Sequence, residues 1–296
     1  MAEFVFKTPV LLLIFNRPET TKIVFDEIRK IRPARLYVAA DGPREGIESD
    51  KKKCADTRKI IENIDWPCEV KKLFQEHNLN RGKAASTALT WFFSHEEEGI
   101  ILEDDSLPLP GFFRYCQELL EDYRDDNRIM HIGGRNFLGR KNNDSEYSYY
   151  FSTCGYIGGW ATWRRAWETF DYDIRLYDRI KQNGFFENYF LNPIEKTYRL
   201  RRLDSTLASR GKVDWWDCQW DFARYINSGL AIVPNRNLVR DIGTKDGVTH
   251  RDKIELTDSE MEFPLKHPPF VIRDLESDKR YFFGFMKRLI FSKFKI

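Results

Sequence analysis

Gly99-Ile-Ile-Leu-Glu-Asp-Asp-Ser-Leu-Pro-Leu-Pro-Gly-Phe-Phe113 is the stretch from which the rest of the chain can be read. Its opening, Gly99 to Leu102, is a short apolar run bounded by glycine, the pattern of a strand buried on both faces. Glu103, Asp104 and Asp105 follow at once, and three adjacent anions repel one another at a sheet end unless a cation is held there. A hard divalent ion carrying a phosphate ligand supplies that charge, because oxygen donors suit Mg2+ or Mn2+. Pro108, Pro110 and Gly111 then stop the strand, and Phe112 opens a helix expected to reach Tyr123. Acidic residues also favour helix N-termini, so a polar loop capping a helix is the plainer alternative. The surrounding pattern decides between them.

Upstream, Val10 to Phe15 is an apolar β run with a sharp exit at Asn16-Arg17-Pro18. Pro18 with Thr20 and Thr21 marks a helix start, and Val24, Ile28 and Ile31 form its apolar stripe until Pro33 ends it. Leu36 to Ala40 reads as a second strand stopping at the turn Asp41-Gly-Pro-Arg44. A charged helix from about Glu48 to Ile64 keeps Cys54, Ile61 and Ile64 inward. Glu69 to Phe74 is a third strand, Asn78 to Lys83 a loop, and Ala84 to Phe93 a helix. This alternation predicts an α/β fold with a mixed, mainly parallel central sheet flanked by helices. Ligands of such sheets bind outside the carboxyl ends of the strands, near a switch in strand order. Asn16, Arg17, Asp41, Arg81 and Glu103 to Asp105 all fall at or just past strand ends and are expected to converge on one edge.

Composition narrows the classes. With 296 residues, 42% apolar and 32% charged, the chain can build one large α/β domain or a core with a smaller lobe. Its 48 basic and 46 acidic residues give a net charge of +2, so no broad basic field points to nucleic acid. The five cysteines are scattered without zinc-site spacing, which suggests a reducing, cytosolic setting. No signal peptide is expected, and no run approaches the roughly 18 apolar residues of a membrane span. The first strand-to-helix turn, FNRPETT, lacks GxGxxG, and no GxxxxGK[ST] occurs. A phosphate must then be held by a metal and arginine.

In the second half, His131 between Met130 and Ile132 is either a metal ligand or an ordinary buried histidine. The loop Gly133-Gly134-Arg135-Asn136 lets backbone approach a donor sugar. Arg140 to Ser148 is a polar loop, and the glycines of 154–159 imply a tight bend before a helix expected from Trp160 to Phe170. Six of the eight tryptophans lie between Trp160 and Trp220, a concentration that suits stacking on a sugar ring or aromatic core packing. Asp214, Asp217 and Asp221 share one face if Val213 to Asp221 is helical. Beside Trp216 and Trp220, such a carboxylate gains basicity through desolvation and suits a general base; an N-cap with surface carboxylates is the alternative. Leu230 to Pro234 and Asn237 to Ile242 read as strands. Gly243 to His250 is a lid that could bring Lys245 and His250 over a diphosphate, or simply a surface loop. Residues 252–275 look like an extended linker. From Lys279 to Ile296 there are six basic residues and no acidic ones, interleaved with aromatics. A helix of that kind can lie on an anionic membrane, or pack on its own core or a second subunit.

LLLIFNRP, VAADGP, ILEDDSLPLPGFF, DWWDCQW and GTKDGVTH, in this order over residues 9–250, resemble the nucleotide-sugar glycosyltransferases of the GT-A fold. The likeness is to N-acetylglucosaminyltransferase I and its bacterial relatives. The resemblance implies that Asn16 and Arg17 grip the nucleotide and that Asp41 reads the uracil edge. It further implies that Glu103 faces the sugar, Asp104 the ribose, and that Asp105 binds Mn2+ or Mg2+. Asp217 takes the place of the base in the family's WDDW motif, with Asp214 and Asp221 as fallbacks, since Cys218 stands where the second aspartate would. Ala84 to Phe93 lacks the histidine that the family carries before its metal strand, a place Arg81 or Lys83 could fill. The implied activity is an inverting transfer from a UDP-sugar to a glycan or lipid-linked acceptor; the cysteine usage adds a cytoplasmic setting, and the basic tail, if it binds lipid, the inner face of the membrane. The implied organisation is a nucleotide-sugar half (1–135), an acceptor and base half (136–251), and a linker with a basic tail (252–296). A sugar-1-phosphate nucleotidyltransferase would want a glycine-rich loop after the first strand, which FNRPETT does not supply. A carbohydrate-binding protein that kept the fold without turnover is the reading from a different class.

Overall fold

Strand β1 (Val10–Ile14) lies inside an eight-stranded sheet because both its faces are apolar, with Val10, Leu11 and Leu12 wholly buried. The structure, a computed structural model, describes residues 4–138, 146–209, 216–243 and 260–294. Helix α1 (Pro18–Ile31) starts on its proline, buries Val24, Phe25 and Ile28, and ends at Arg32, whose φ is 48°. Strand β2 (Arg35–Ala40), helix α2 (Glu48–Ile60), strand β3 (Glu69–Phe74), helix α3 (Arg81–Phe93) and strand β4 (Glu98–Glu103) follow. β1 pairs in parallel with β2 and with β4, and β2 with β3. The chain therefore winds outward through β2 and β3, then returns to the other side of β1. The switch in strand order falls between β1 and β4.

Beyond β4 come short strand β5 (Ser106–Pro108), helix α4 (Phe112–Asp122) and strands β6 (Ile129–Gly133), β7 (Tyr149–Ser152) and β8 (Trp160–Trp163). Helices α5 (Arg164–Trp167), α6 (Tyr177–Gln182), α7 (Pro193–Ala208) and α8 (Asp217–Ile226) precede β9 (Leu230–Pro234), β10 (Val239–Asp241) and α9 (Leu275–Phe294). The order β3-β2-β1-β4-β8-β6-β9-β7 makes the sheet mixed and mainly parallel, as the alternation of elements led one to expect.

Two expectations are corrected here. Trp160 to Trp163 is a strand, not the start of a helix: it runs antiparallel to β4, with Trp160 opposite Ile101. Gly158 and Gly159, at φ 96° and 79°, turn the chain into the sheet, a backbone that glycine adopts without cost. The helix after it is only Arg164–Trp167. The tryptophans are core: Trp160, Trp163, Trp167, Trp216 and Trp220 are at most 4% exposed. Trp160 packs on Trp216 and Trp220 at ring separations of 6.0 and 5.8 Å, while Trp163 on the other face donates to the Leu120 carbonyl. These five are not placed to stack on a sugar, and Trp215 lies outside the described residues.

The segment before α9 is not an open linker where described. Met261 and Leu265 join the core, and the Asp274 amide donates to the Phe151 carbonyl at 2.8 Å. Helix α9 lies on its own domain: Phe282 is buried, and Asp278 accepts hydrogen bonds from the Ser152 and Thr153 hydroxyls. Among the described residues no helix is long and apolar enough to cross a membrane.

Candidate functional site

The carboxyl ends of β1 and β4 meet at the switch point. The Phe15 amide donates to Asp104 Oδ2 at 3.2 Å. The Arg17 guanidinium lies 3.5 Å from Asp104 Oδ1 and donates directly to Asp105. Strand β10 then pairs antiparallel with β5, placing Asp241 opposite Ser106, and the Ile242 amide donates to the Asp105 carbonyl at 2.9 Å. Arg135 reaches Asp241 at 3.7 Å. This closure needs backbone without side chains. A Cβ on Gly159 would lie 2.6 Å from Val239, and one on Gly134 2.7 Å from the Gly159 carbonyl oxygen, far inside contact distance.

Among the described residues this edge is predominantly acidic, and burial holds two of its carboxylates toward neutrality. Burial first, then Asp105 and Asp104, push the Glu103 carboxyl up to about 8 against the pull of Arg81. Burial and Asp105 likewise raise Asp104 to about 7 despite Arg17. Among the described residues four carboxylates, counting Asp241, face the guanidinium groups of Arg17, Arg81 and Arg135. A raised carboxyl pKa means that ionisation costs free energy here, and an added cation would recover it. All donors are oxygens, which suits a hard divalent ion. Among the described residues no three Asp, Glu, His or Cys side chains form a ready-made metal cage. Such an ion would take one or two carboxylates and complete its shell with phosphates, as Mg2+ commonly does. The donor set fits that mode.

Other residues expected to grip a nucleotide are hydrogen-bonded to the surrounding loops and helices. Asn16 Nδ2 donates to Asp50 Oδ1 at 2.8 Å. Asp50, almost wholly buried, is held by Arg44 Nε at 2.6 Å and Nη2 at 3.0 Å, and the hydrogen bond to Arg44 leads in lowering its pKa to about 2. Asp41 organises the loop after β3. Its Oδ1 accepts from the Gly42 and Leu79 amides and its Oδ2 from Asn78 Nδ2, each at 2.8 Å. Helix α3 begins at Arg81, three residues before its expected start, because Asn80 at φ 68° ends the loop there. Arg81 is exposed on that first turn, within electrostatic reach of Glu103. Lys83 instead sits over the Tyr172 ring at 5.1 Å.

The α8 carboxylates present the reverse balance. Asp217 Oδ2 accepts from Arg202 Nη2 at 2.9 Å, and its Oδ1 is buried without a partner among the described residues. Asp221 accepts from Arg224 at 2.5 Å, with Arg199 3.9 Å away. Arg224 is fully buried and also donates to the Thr153 carbonyl at 3.1 Å. The expected surroundings of these acids are corrected: the indoles of Trp216 and Trp220 turn into the core, while both carboxylates face arginines of α7. Asp214, Lys245 and His250 lie outside the described residues.

His131 is resolved as a buried histidine. Trp220 Nε1 donates to its Nδ1 at 3.2 Å, its Nε2 donates to the Tyr156 carbonyl at 3.2 Å, and its ring stacks on Trp160. Burial and Arg224 lower its pKa well below the ordinary value, so the ring is neutral with both nitrogens committed. Sequence reasoning missed Asp241 as a member of the carboxylate cluster and Arg135 as its partner. Asp241 arrives through the β5–β10 pairing between residues more than a hundred positions apart, and no local pattern announces it.

No family model matches the chain, and no curated protein does. Among solved structures, HddC from Yersinia pseudotuberculosis aligns with a TM-score of 0.32 at 9% identity, covering 53% of this chain and 77% of that one. UDP-glucose pyrophosphorylase complexed with UDP-glucose aligns at 0.31 with 12% identity over 55% and 78%, and its apo form at 0.30 with 11% identity over 54% and 78%. Likeness of this degree assigns no chemistry, and the fold stands on the sheet order given above.

Proposed function

We propose that the chain is a metal-dependent, inverting glycosyltransferase that moves a sugar from a UDP-sugar to an acceptor hydroxyl. The observation carrying this reading is the convergence of Glu103, Asp104 and Asp105 at the β1/β4 switch, with Arg17 laid across Asp104 and Asp105. The sequence resemblance supplies the substrate class. In this reading Arg17 and Arg81 bind the diphosphate, Asp104 meets the ribose and Glu103 the donor sugar. Asp41 holds the loop that borders the base, and Asn16 fixes the exit of β1. Asp105 would hold Mn2+ or Mg2+, which when bound neutralises charge on the departing diphosphate. Lys245 and His250 belong to the segment proposed to close over that group.

Of the α8 acids, Asp221 is committed to Arg224 and Arg199, so we assign it to scaffolding. Asp217, with a single arginine and one unpartnered oxygen, is the group proposed to take the acceptor's proton, and Asp214 is its alternative. The arginine beside Asp217 weakens it as a base in the free protein, so proton transfer requires that pair to loosen as acceptor binds. The acceptor is proposed to be a glycan or lipid-linked saccharide.

A thermal-shift panel of nucleotide-sugars with and without Mn2+ tests the reading, since a ligand that binds only the folded state raises the melting temperature. UDP-sugars are expected to stabilise the protein only with the metal, and slow metal-dependent donor hydrolysis should accompany binding. Pyrophosphate release from UTP and a sugar 1-phosphate would replace this reading with nucleotidyl transfer. Binding without any turnover would favour a carbohydrate-binding protein.

A further inference from the structure

The outer face of α9 and the segment leading into it carry an unusual concentration of exposed apolar and basic side chains. Phe270, Ile272, Leu275 and Phe283 are 46%, 64%, 51% and 51% exposed. They are four of the eleven large hydrophobic residues exposed among the described residues, gathered within fourteen positions. Isolated exposed apolar residues need no explanation, but a group of them marks an interaction surface.

The helix is held so that this face must point outward. Ser277, Asp278 and Phe282 are buried, Asp278 ties the first turn to Ser152, Thr153 and Arg273, and Tyr281 and Phe285 pack on Tyr156 and Tyr198. Leu275, Lys279, Phe283 and Lys287, four residues apart, follow the exposed stripe that remains. Arg280 beside them is exposed and bridges Glu276 at 3.3 Å. The sequence adds Arg288, Lys293 and Lys295 beyond this point and no acidic residue.

The geometry points to this face as a docking site for a bilayer surface rich in anionic phospholipid. Phe270, Ile272, Leu275 and Phe283 would enter the headgroup–acyl boundary while Lys279, Arg280 and Lys287 meet lipid phosphates. Lysine and arginine suit that position because their stems follow apolar surface while their charge stays in water. A soluble protein partner would need an acidic, apolar counter-surface; a membrane offers both properties at once. The other face of the helix reaches the carboxylate cluster through Tyr281, Phe137 and Arg135. Docking would therefore bring that edge near acceptors carried in the membrane, a consequence that rests on the glycosyltransferase reading, whereas docking itself does not.

Co-sedimentation of the full chain with vesicles tests the proposal, using phosphatidylcholine alone and phosphatidylcholine mixed with phosphatidylglycerol. Binding to the mixed vesicles is expected, weakening as salt rises. A Leu275→Glu, Phe283→Glu double variant should lose about tenfold or more of the partitioning, because both apolar contacts go and charge repulsion enters. Lys279→Glu with Lys287→Glu should lose a similar factor on anionic vesicles only. All four residues are exposed, so melting temperatures and metal-dependent UDP binding should match wild type, which separates this test from that of the nucleotide site. The proposal is overturned if wild type stays in the supernatant, or binds neutral and anionic vesicles equally. Variants that bind like wild type overturn it as well. A dimer seen by light scattering that Phe283→Glu dissolves would instead assign the face to a second copy of the chain.

Discussion

Two groups of carboxylates stand out in this chain, and their surroundings are opposite. At the end of β4, Glu103, Asp104 and Asp105 meet Asp241 and outnumber the described arginines around them, and Glu103 and Asp104 are held toward their neutral forms. On α8, Asp217 and Asp221 are matched by Arg202, Arg199 and Arg224. The first arrangement costs the folded protein free energy and invites a ligand cation. The second is an ion-pair network that joins α8 to α7 and to the loop at Thr153 and leaves one oxygen of Asp217 without a partner among the described residues. An acidic cluster is a ligand site when its charge is left over, not merely when it is dense.

Substitutions can break or sharpen this contrast. The largest effect is expected from Asp221→Ala, which leaves the fully buried Arg224 guanidinium without its carboxylate. A loss of about 3–5 kcal/mol in urea unfolding is expected; a loss below about 1 kcal/mol would place the network outside the stabilising core. Glu103→Gln should act with the opposite sign, stabilising the protein by roughly 2 kcal/mol at neutral pH in the presence of chelator. The folded carboxyl titrates near 8 against an ordinary 4.5, so the folded state binds the extra proton between these values. Wild type should therefore gain stability as pH falls from about 8 toward 4.5, closing the gap to the amide variant. Melting curves across that range decide it, and a variant less stable than wild type at pH 8 would refute the charge balance argued here.

Asp50→Asn is expected to cost roughly 2 kcal/mol. Its folded pKa of about 2 lies below the ordinary 3.8, so the stabilisation is present above 3.8 and is lost as pH falls toward 2. Acid titration of both proteins by circular dichroism should show the difference shrinking over that window. Asp217→Asn should be the mildest for stability, under about 1 kcal/mol, because its ion pair with Arg202 is partly exposed. Under the proposed role, its kcat should nevertheless fall by about 10²–10⁴ while UDP binding is kept. Equal kcat in wild type and Asp217→Asn would remove it as the base.

How far the sequence reached follows from the range of each interaction. The parallel half was legible because each strand and helix there carries its own periodicity and its own stop at Pro18, Pro33 or Gly42. The convergence of Arg17 with Glu103 to Asp105 followed from strand ends sharing an edge. Trp160 to Trp163 was misread because four residues buried on both faces show no period, and only pairing with Ile101 makes them a strand. The tryptophan concentration was compatible with two uses, and burial places the five described members in the core. Asp241 and the α7 arginines facing Asp217 and Asp221 were invisible because distant pairing and helix docking put them in place. A proline-rich segment read as a linker was packed by Met261 and Leu265, two apolar residues too widely spaced to form a pattern.

The central claim is that the β4 carboxylates hold a cation bridging to a diphosphate. Isothermal titration of UDP into wild type and Asp105→Asn, each with Mn2+ and with chelator, tests it most directly. The account predicts binding by wild type only with Mn2+, weakened at least tenfold in Asp105→Asn, since even the outer-shell partners of a metal are worth about that factor. UDP binding of equal strength with chelator, or unchanged by Asp105→Asn, would contradict it.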